Sequence, residues 1–136
     1  MAASSIGDSL EHGDLSPGQV VFGEMGPVVL DWSDSTVTHP FLAAASFLAD
    51  PLVLPADPAV AASLAEAYVA GWGGDHAAAA RALELARVVH PLHVAWLTAE
   101  RILPGLEQSW ELAHVAPEAF RRLGDQLPEL PRILAS

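Results

Sequence analysis

Residues 11–32 read EHGDLSPGQVVFGEMGPVVLDW and decide the interpretation of the whole chain. Two valine-rich runs, residues 19–23 (QVVFG) and 27–32 (PVVLDW), flank a glycine-containing turn sequence, GEMG. Short β-branched runs joined by such a turn are typical of a β-hairpin. Each run is too short to be stable by itself, so the hairpin must pack against another part of the molecule.

Two carboxylates lie on either side of this hairpin. Asp14 is in the loop before it, and Asp31 comes at the end of its second run. Because a hairpin carries the chain out and back, we expect Asp31 to return close to Asp14. Such a pair suits a general base beside a magnesium ligand, and it also suits acid/base hydrolysis by both carboxyl groups. The spacing alone leaves both chemistries open.

Four segments are similar to one known family. Residues 12–21 (HGDLSPGQVV) resemble the catalytic loop of the aminoglycoside phosphotransferase and choline kinase-like family, which usually reads HGDxxxxN before apolar residues. Residues 28–32 (VVLDW) resemble the family's metal-binding strand end, and residues 33–41 (SDSTVTHPF) a loop common among its bacterial members. Residues 86–111 are similar to its helical C-terminal part. The resemblance covers the chain from His12 to about Leu123.

The resemblance implies a role for each of five residues. Asp14 would be the catalytic base or the group that positions the hydroxyl, and His12 a structural residue that supports it. Asp31 would be the principal Mg²⁺ ligand, and Gln19 occupies the position of a metal-binding Asn in the family. Asp34 would contact the substrate. The implied reaction transfers the γ-phosphoryl group of ATP, the co-substrate, to a hydroxyl of a small-molecule acceptor.

The implied fold is mainly α with a small β-hairpin: the C-terminal lobe of a protein-kinase-like fold without its N-terminal nucleotide lobe. Only eleven residues precede His12, and the chain contains no lysine. A kinase needs a phosphate-covering loop and a strand lysine. We therefore expect one partial domain over residues 1–136, with the catalytic and metal loops at 11–41 and a helical subdomain at 57–127. This chain would be a kinase fragment that is inactive, or nearly so, by itself.

A non-catalytic function is the alternative to the kinase interpretation. The chain would then be a truncated helical module that acts in protein interaction. Self-association through the surface left by the missing lobe is the expected form of that interaction, because monomers rarely expose a large apolar patch.

The sequence divides near residue 55, with strand and loop expected before it and helix after it. Asp57-Pro58 places an N-cap before a proline at the first helical position, which predicts a helix over residues 58–71. Its predicted buried stripe recurs every four residues: Val60, Leu64, Tyr68 and Trp72.

Further helices are predicted from breaker residues and apolar spacing. One covers residues 75–90 and is ended or kinked by Pro91, and others cover 92–103, 107–114 and 117–127. The four tryptophans are expected to be core anchors. His90 and His93 lie on adjacent turns, but no third ligand accompanies them, so we interpret them as packing residues or a helix C-cap.

Charge and composition exclude several classes of partner and site. The 17 acidic residues, against six arginines, give a net charge of −11. Nucleic acids and anionic membrane surfaces bind clustered Lys and Arg, so neither is an expected partner. The absence of cysteine excludes disulfides, thiolate zinc sites and cysteine nucleophiles. Neither a signal sequence nor an apolar run of about 20 residues is present, and the expected location is the cytoplasm.

Overall fold

The computed structural model of the chain describes residues 6–50, 57–105 and 112–135. The chain forms two compact units, Met1–Leu83 and Glu84–Ser136. Most of the described residues are helical, and the strands form two small antiparallel sheets. The mainly α class with a small β component is therefore confirmed.

The predicted hairpin is present in the first unit. Strand β2 (Val20–Gly23) pairs antiparallel with β3 (Gly26–Val29), and Val21 lies opposite Val28. Gly26 adopts a φ of 112°, a left-handed value that glycine reaches without strain. A 3₁₀ turn at Pro17–Gln19 leads into β2.

A second sheet, which the sequence did not predict, is formed by one strand before the hairpin and one strand after it. Strand β1 (Ser9–Glu11) pairs antiparallel with β4 (Thr36–Thr38), with Leu10 opposite Val37. The two strands are separated by the whole hairpin. Their pairing brings the chain just before His12 next to the chain that follows Asp31, so it holds both ends of the predicted catalytic segment together.

The expectation of only strand and loop before residue 55 is wrong, because helix α1 covers Phe41–Ala49. Its sequence, FLAAASFLA, consists mostly of good helix formers, but no side chain caps its N-terminus. Burial stabilises this helix: Phe41, Ala43, Ala44, Ala45 and Leu48 are all in the core.

Helix α2 (Pro58–Gly71) has the predicted bounds, and the Asp57 side chain accepts a hydrogen bond from the Ala59 N–H at 2.8 Å. The predicted buried stripe is wrong. Val60, Leu64 and Trp72 are exposed, whereas Ala61 and Val69 are buried.

The aromatic residues at the end of α2 pack by their edges. Tyr68 and Trp72 contact the ring of Phe41, with centroids 5.3 and 5.7 Å away, and the Tyr68 hydroxyl donates to the Pro40 carbonyl oxygen at 2.8 Å. These contacts hold the C-terminal end of α2 against the start of α1.

Helix α3 (His76–Leu97) continues through Pro91, so of the two predicted effects of Pro91, an end or a kink of the helix, the end does not occur. Proline cannot donate to the carbonyl of Arg87, four residues earlier. Arg87 is exposed to solvent and the Pro91 ring is buried, so solvation and packing offset the lost hydrogen bond. The helix continues as a π turn (Thr98–Ile102) and a 3₁₀ turn (Leu103–Gly105), where a separate helix was expected.

The second unit ends in helices α4 (Val115–Gln126) and α5 (Leu130–Ala135), joined by a 3₁₀ turn (Leu127–Glu129). Helix α4 confirms the helix predicted over residues 117–127. Of the helix predicted over 107–114, residues 107–111 lie outside the described residues, and residues 112–114 form a turn. None of the helices given above combines the length and apolar composition that a bilayer crossing demands.

The expectation that the tryptophans anchor the core is wrong for three of them. Trp32, Trp72 and Trp96 are exposed, and Trp110 lies outside the described residues. The buried apolar residues of the second unit are smaller, among them Ala86, Val88 and Ala95. An alanine-rich interface allows helices to approach closely and leaves large rings at the edges.

Candidate active site

His12 joins the predicted catalytic loop to the end of the hairpin. The residue follows β1 directly and is 3% exposed. Its Nε2–H donates to the carbonyl oxygen of Leu30 at 2.8 Å, and its ring lies 4.9 Å from that of Trp32. Nδ1 accepts the Asp14 N–H in a long contact of 3.4 Å. One buried imidazole thus connects Leu30, the residue before Asp31, to the main chain of Asp14.

Gly13 allows the loop to approach the segment that follows Asp31. Its φ is 90°, and a Cβ at this position would overlap the carbonyl oxygen of Asp34 and lie 2.9 Å from the Asp34 Cβ. Only a residue without a side chain fits there. Gly13 therefore places its neighbour, Asp14, beside the loop that carries Asp34.

Glu11 is a buried carboxylate that the sequence analysis missed. It is 3% exposed, and its Oε2 accepts a hydrogen bond from the Gly13 N–H at 2.8 Å. Burial raises the pKa of Glu11, and the Gly13 hydrogen bond and His12 partly offset that increase. The signal available was an acidic residue immediately before the HGD sequence.

Asp31 follows β3 in an unusual backbone conformation. Its φ is 61°, which is uncommon for a residue other than glycine and is often found at functional sites. The Ser33 hydroxyl donates to Asp31 Oδ1 at 2.9 Å, so Ser33 orients this carboxylate. The sequence analysis did not assign Ser33; the Asp-x-Ser spacing, which favours such a local hydrogen bond, was the available signal.

Gln19 is anchored by its main chain and by its side chain. Its carbonyl oxygen accepts from the Leu30 N–H at 2.9 Å, next to Asp31. Its side-chain Oε1 accepts from the Ser16 N–H at 2.6 Å, which closes the 3₁₀ turn. Gln19 also lies close enough to Asp14 to lower the pKa of its carboxyl group.

The other four predicted site residues, His12, Gln19, Asp31 and Asp34, all influence the pKa of the Asp14 carboxyl group. Partial burial raises its pKa, and the negative charges of Asp34 and Asp31 raise it further. Gln19 and the nearby His12 lower it in part. Asp14, Asp31 and Asp34 are exposed to solvent, so this carboxylate cluster is open to a substrate.

Within residues 6–50, 57–105 and 112–135, no group of three or more His, Cys, Asp or Glu side chains is arranged to hold a metal ion. Magnesium rarely needs such a group, because one or two carboxylates and the substrate's phosphate oxygens complete its coordination. The oxygen donors around Asp14 fit that partial kind of site and do not form a closed metal cage.

A comparison with family models identifies the relationship. The model of the phosphotransferase enzyme family, APH, matches residues 8–83, more than half of the chain. The chain belongs to the phosphotransferase enzyme family. The matched segment contains both small sheets and all five predicted site residues. No curated protein and no solved structure matches the chain.

A concave feature lies in the unit Glu84–Ser136. It is a cavity of about 210 Å³ between α3 and α4, lined on one side by His90, Pro91 and Val94. Burial, His93 and Arg122 lower the pKa of His90 to about 4, so its imidazole is neutral at pH 7. Burial also lowers the pKa of His93. These properties agree with the interpretation of both histidines as packing residues.

Proposed function

We propose that this phosphotransferase-family chain carries the phosphoryl-transfer site of an ATP-dependent small-molecule kinase, as the C-terminal lobe of a protein-kinase-like fold. The observation that supports the proposal is that Asp14 lies in the family-matched segment and that the charges of Asp34 and Asp31 act on its carboxyl group. The acceptor is a hydroxyl of a small molecule. The site of action is the cytoplasm, where ATP is abundant.

Asp14 is the residue that addresses the acceptor hydroxyl. Its raised pKa makes the carboxylate a better proton acceptor than an isolated aspartate. The hydroxyl oxygen forms a bond to the γ-phosphorus of ATP while the bond to the β-phosphate oxygen breaks. Asp14 takes the hydroxyl proton, and ADP leaves. His12 and Gly13 keep the carboxylate in place for this step.

Asp31 is the principal Mg²⁺ ligand in this proposal, with Gln19 as the second ligand implied by the family pattern. Bound Mg²⁺ would supply a positive charge that stabilises the phosphate oxygens during transfer. Ser33 fixes one oxygen of the Asp31 carboxylate and leaves the other free. Asp31 is therefore oriented before any ligand arrives.

Asp34 contributes negative charge on the open side of the site, where an acceptor enters. Together with Asp14 and Asp31 it favours an acceptor that carries a positive charge, such as an amino alcohol or an amino sugar. Because the chain contains no lysine, the proposal places the phosphate-pairing lysine outside residues 1–136.

Exposed apolar side chains support a contact surface on the two small sheets. Phe22 and Met25 at the hairpin tip are 84% and 100% exposed, and the opposed pair Leu10 and Val37 is also exposed. We propose this surface as the site of self-association. Sedimentation at increasing protein concentration tests the assignment. We expect the wild-type chain to associate and the double variant Phe22→Ser with Met25→Ser to remain monomeric. A chain that stays monomeric at high concentration would contradict it.

Binding of Mn²⁺–ATP tests the kinase proposal directly on the 136-residue chain. Mn²⁺ substitutes for Mg²⁺ at oxygen sites and is detected by its enhancement of water-proton relaxation. We expect an enhancement that Asp31→Asn removes and that the matched control Glu24→Gln, at the exposed hairpin turn, retains. Equal enhancement in the Asp31→Asn variant would contradict the metal assignment. Self-association with no Mn²⁺–ATP binding would favour the non-catalytic interaction module.

A further inference from the structure

Glu11 places a buried carboxylate against the main chain of the predicted catalytic loop. It is the last residue of β1, and the sheet fixes its main chain opposite Thr36 of β4. Glu11 is 3% exposed, and its Oε2 accepts the Gly13 N–H at 2.8 Å. Burying a carboxylate is costly unless it is hydrogen-bonded. The Gly13 N–H therefore stabilises this buried group, and the group in turn holds the residue before Asp14.

Gly13 allows the loop to approach the Asp34 segment closely, but it also makes the main chain flexible. Its φ of 90° and its contact with the Asp34 carbonyl oxygen exclude a residue with a side chain. Glycine has the widest choice of backbone conformations, so its presence alone leaves the direction of the next residue undefined. The hydrogen bond to Glu11 restrains the peptide plane at Gly13. Glu11 therefore offsets the freedom that the glycine brings to the loop.

Two consecutive N–H groups of the loop donate to side chains two residues earlier. The Gly13 N–H donates to Glu11 at 2.8 Å. The Asp14 N–H donates to His12 Nδ1 in the longer contact of 3.4 Å. The first distance is that of a charge-assisted hydrogen bond, whereas the second is longer than most hydrogen bonds in proteins. Glu11 thus restrains the loop's main chain more strongly than His12, whose shorter bond is to the Leu30 carbonyl oxygen.

We propose that Glu11 is a positioning residue for Asp14: its buried carboxylate holds the Gly13 N–H and thereby keeps the predicted catalytic loop in one main-chain conformation. The inference deepens the proposed function and rests on it for the catalytic role of Asp14. Asp14 is exposed to solvent and Glu11 is buried, so Glu11 acts through the loop. Positioning matters to the rate, because a displacement of about 1 Å can slow a reaction 100-fold.

The proposal depends on the acceptor oxygen of Glu11 and not on its negative charge, and two substitutions separate these properties. Glu11→Gln removes the charge and keeps an acceptor oxygen. Glu11→Met removes both and keeps an unbranched side chain of similar size, which suits a buried position. Glu24→Met, at the exposed hairpin turn, is the matched control.

The first test is NMR on the isotope-labelled 136-residue chain without metal. In the wild-type chain we expect a scalar coupling through the hydrogen bond, between the Gly13 ¹⁵N and the Glu11 carboxyl ¹³C. The Gly13 amide should exchange with solvent about tenfold faster or more in Glu11→Met, because the charge-assisted bond is lost. The increase should be only about threefold in Glu11→Gln, whose neutral oxygen still accepts. Glu24→Met should leave the Gly13 exchange unchanged.

The second test measures kcat and KM for phosphoryl transfer from ATP in the complete gene product that carries residues 1–136. We expect Glu11→Met to lower kcat about tenfold or more, with the KM for ATP within about twofold of the wild type. Glu11→Gln should keep kcat within about threefold, and Glu24→Met should not change it. A merely structural role would reduce the amount of folded protein and leave the kcat of each folded molecule unchanged.

Three results would overturn the inference. Absence of the coupling in the wild-type chain would do so even if Glu11→Met failed to fold. Equal Gly13 exchange in the wild type and in Glu11→Met would show that the bond restrains nothing. A wild-type kcat in Glu11→Met, or an equal loss of kcat in Glu11→Gln, would contradict positioning by the acceptor oxygen. A wild-type protein that transfers no phosphoryl group would contradict the proposed function, while the NMR spectra would still decide whether Glu11 holds the loop.

Discussion

The Nε2–H of His12 donates to the carbonyl oxygen of Leu30 at 2.8 Å, and this hydrogen bond connects the loop before the hairpin to the strand end after it. Asp14 lies two residues after His12, and Asp31 directly follows Leu30. The imidazole is buried, so its replacement leaves both a cavity and an unpaired carbonyl oxygen. The distance between the two predicted catalytic carboxylates therefore depends on a residue that takes no part in the chemistry.

His12→Ala should lower the free energy of unfolding by ~2 kcal/mol or more, from the lost hydrogen bond and the lost ring packing. Urea denaturation measures the change. His76→Ala is the control, since His76 lies on the surface beside an exposed Glu66, and a change within ~0.5 kcal/mol is expected. Equal effects of the two substitutions would contradict the structural role of His12.

Gly13→Ala should destabilise the chain and disturb the site. The added methyl would overlap the Asp34 carbonyl oxygen at a backbone φ of 90°, so we expect a loss of about 2 kcal/mol or more. Gly18→Ala is a matched control four residues after Asp14, because a Cβ there meets only the Ser16 hydroxyl at 3.7 Å. Thermal unfolding measures the stability of both variants. A Gly13→Ala variant as stable as the wild type would refute the close approach of Gly13 to the Asp34 carbonyl oxygen.

Glu11→Gln should change the pH dependence of stability. Burial raises the pKa of Glu11 above its usual 4.5, so the folded state holds the proton more tightly than the unfolded state. This group therefore costs stability as the pH rises above 4.5, and Glu11→Gln removes that loss. The variant should gain stability relative to the wild type between pH 4.5 and 7 in urea titrations. The control Glu24→Gln, at an exposed position, should not change stability with pH in this way. If the stability difference between Glu11→Gln and the wild type does not depend on pH, Glu11 does not carry a buried charge.

His90 should make the second unit sensitive to acid. Its pKa is about 4 in the folded state against 6.5 for an ordinary histidine, so the unfolded state takes up the proton first. Stability is retained above pH 6.5 and falls as the pH decreases towards 4, by at most ~3 kcal/mol at about 1.4 kcal/mol per pKa unit. His90→Gln should flatten this part of the stability profile measured by urea unfolding. A profile with the same acid slope in wild type and variant would show that His90 is not the cause.

Sequence patterns within a few residues correctly predicted the hairpin and helix α2, whose formation depends on local contacts. The valine runs around GEMG predicted the β2–β3 hairpin, and Asp57-Pro58 predicted the first residue of α2. The pairing of Ser9 with Thr38 was not predictable, because it depends on contacts across 29 residues and no periodicity reports it. Helix α1 was missed because it begins without a side-chain cap and is stabilised by burial.

The sequence predicted the principal residues of the candidate site, but not the residues that hold them in place. The out-and-back path of the hairpin predicted that Asp31 returns near Asp14, and the electrostatic coupling of these carboxylates agrees. Glu11 and Ser33 carried only weak local signals in the sequence, because their roles depend on burial and on one hydrogen bond each. The partner of the Gln19 oxygen likewise depends on how a single turn folds.

The most direct measurement of the central claim is phosphoryl transfer from ATP, followed by ³¹P NMR, in the complete gene product that carries residues 1–136. The acceptors would be a panel of small alcohols, amino alcohols and amino sugars. The variants compared with the wild type would be Asp14→Asn, Asp31→Asn and Glu24→Gln. We predict acceptor-dependent formation of ADP and a phosphate ester, reduced about 100-fold or more by either site variant and unchanged by Glu24→Gln. Undiminished turnover in Asp14→Asn and Asp31→Asn would contradict the account.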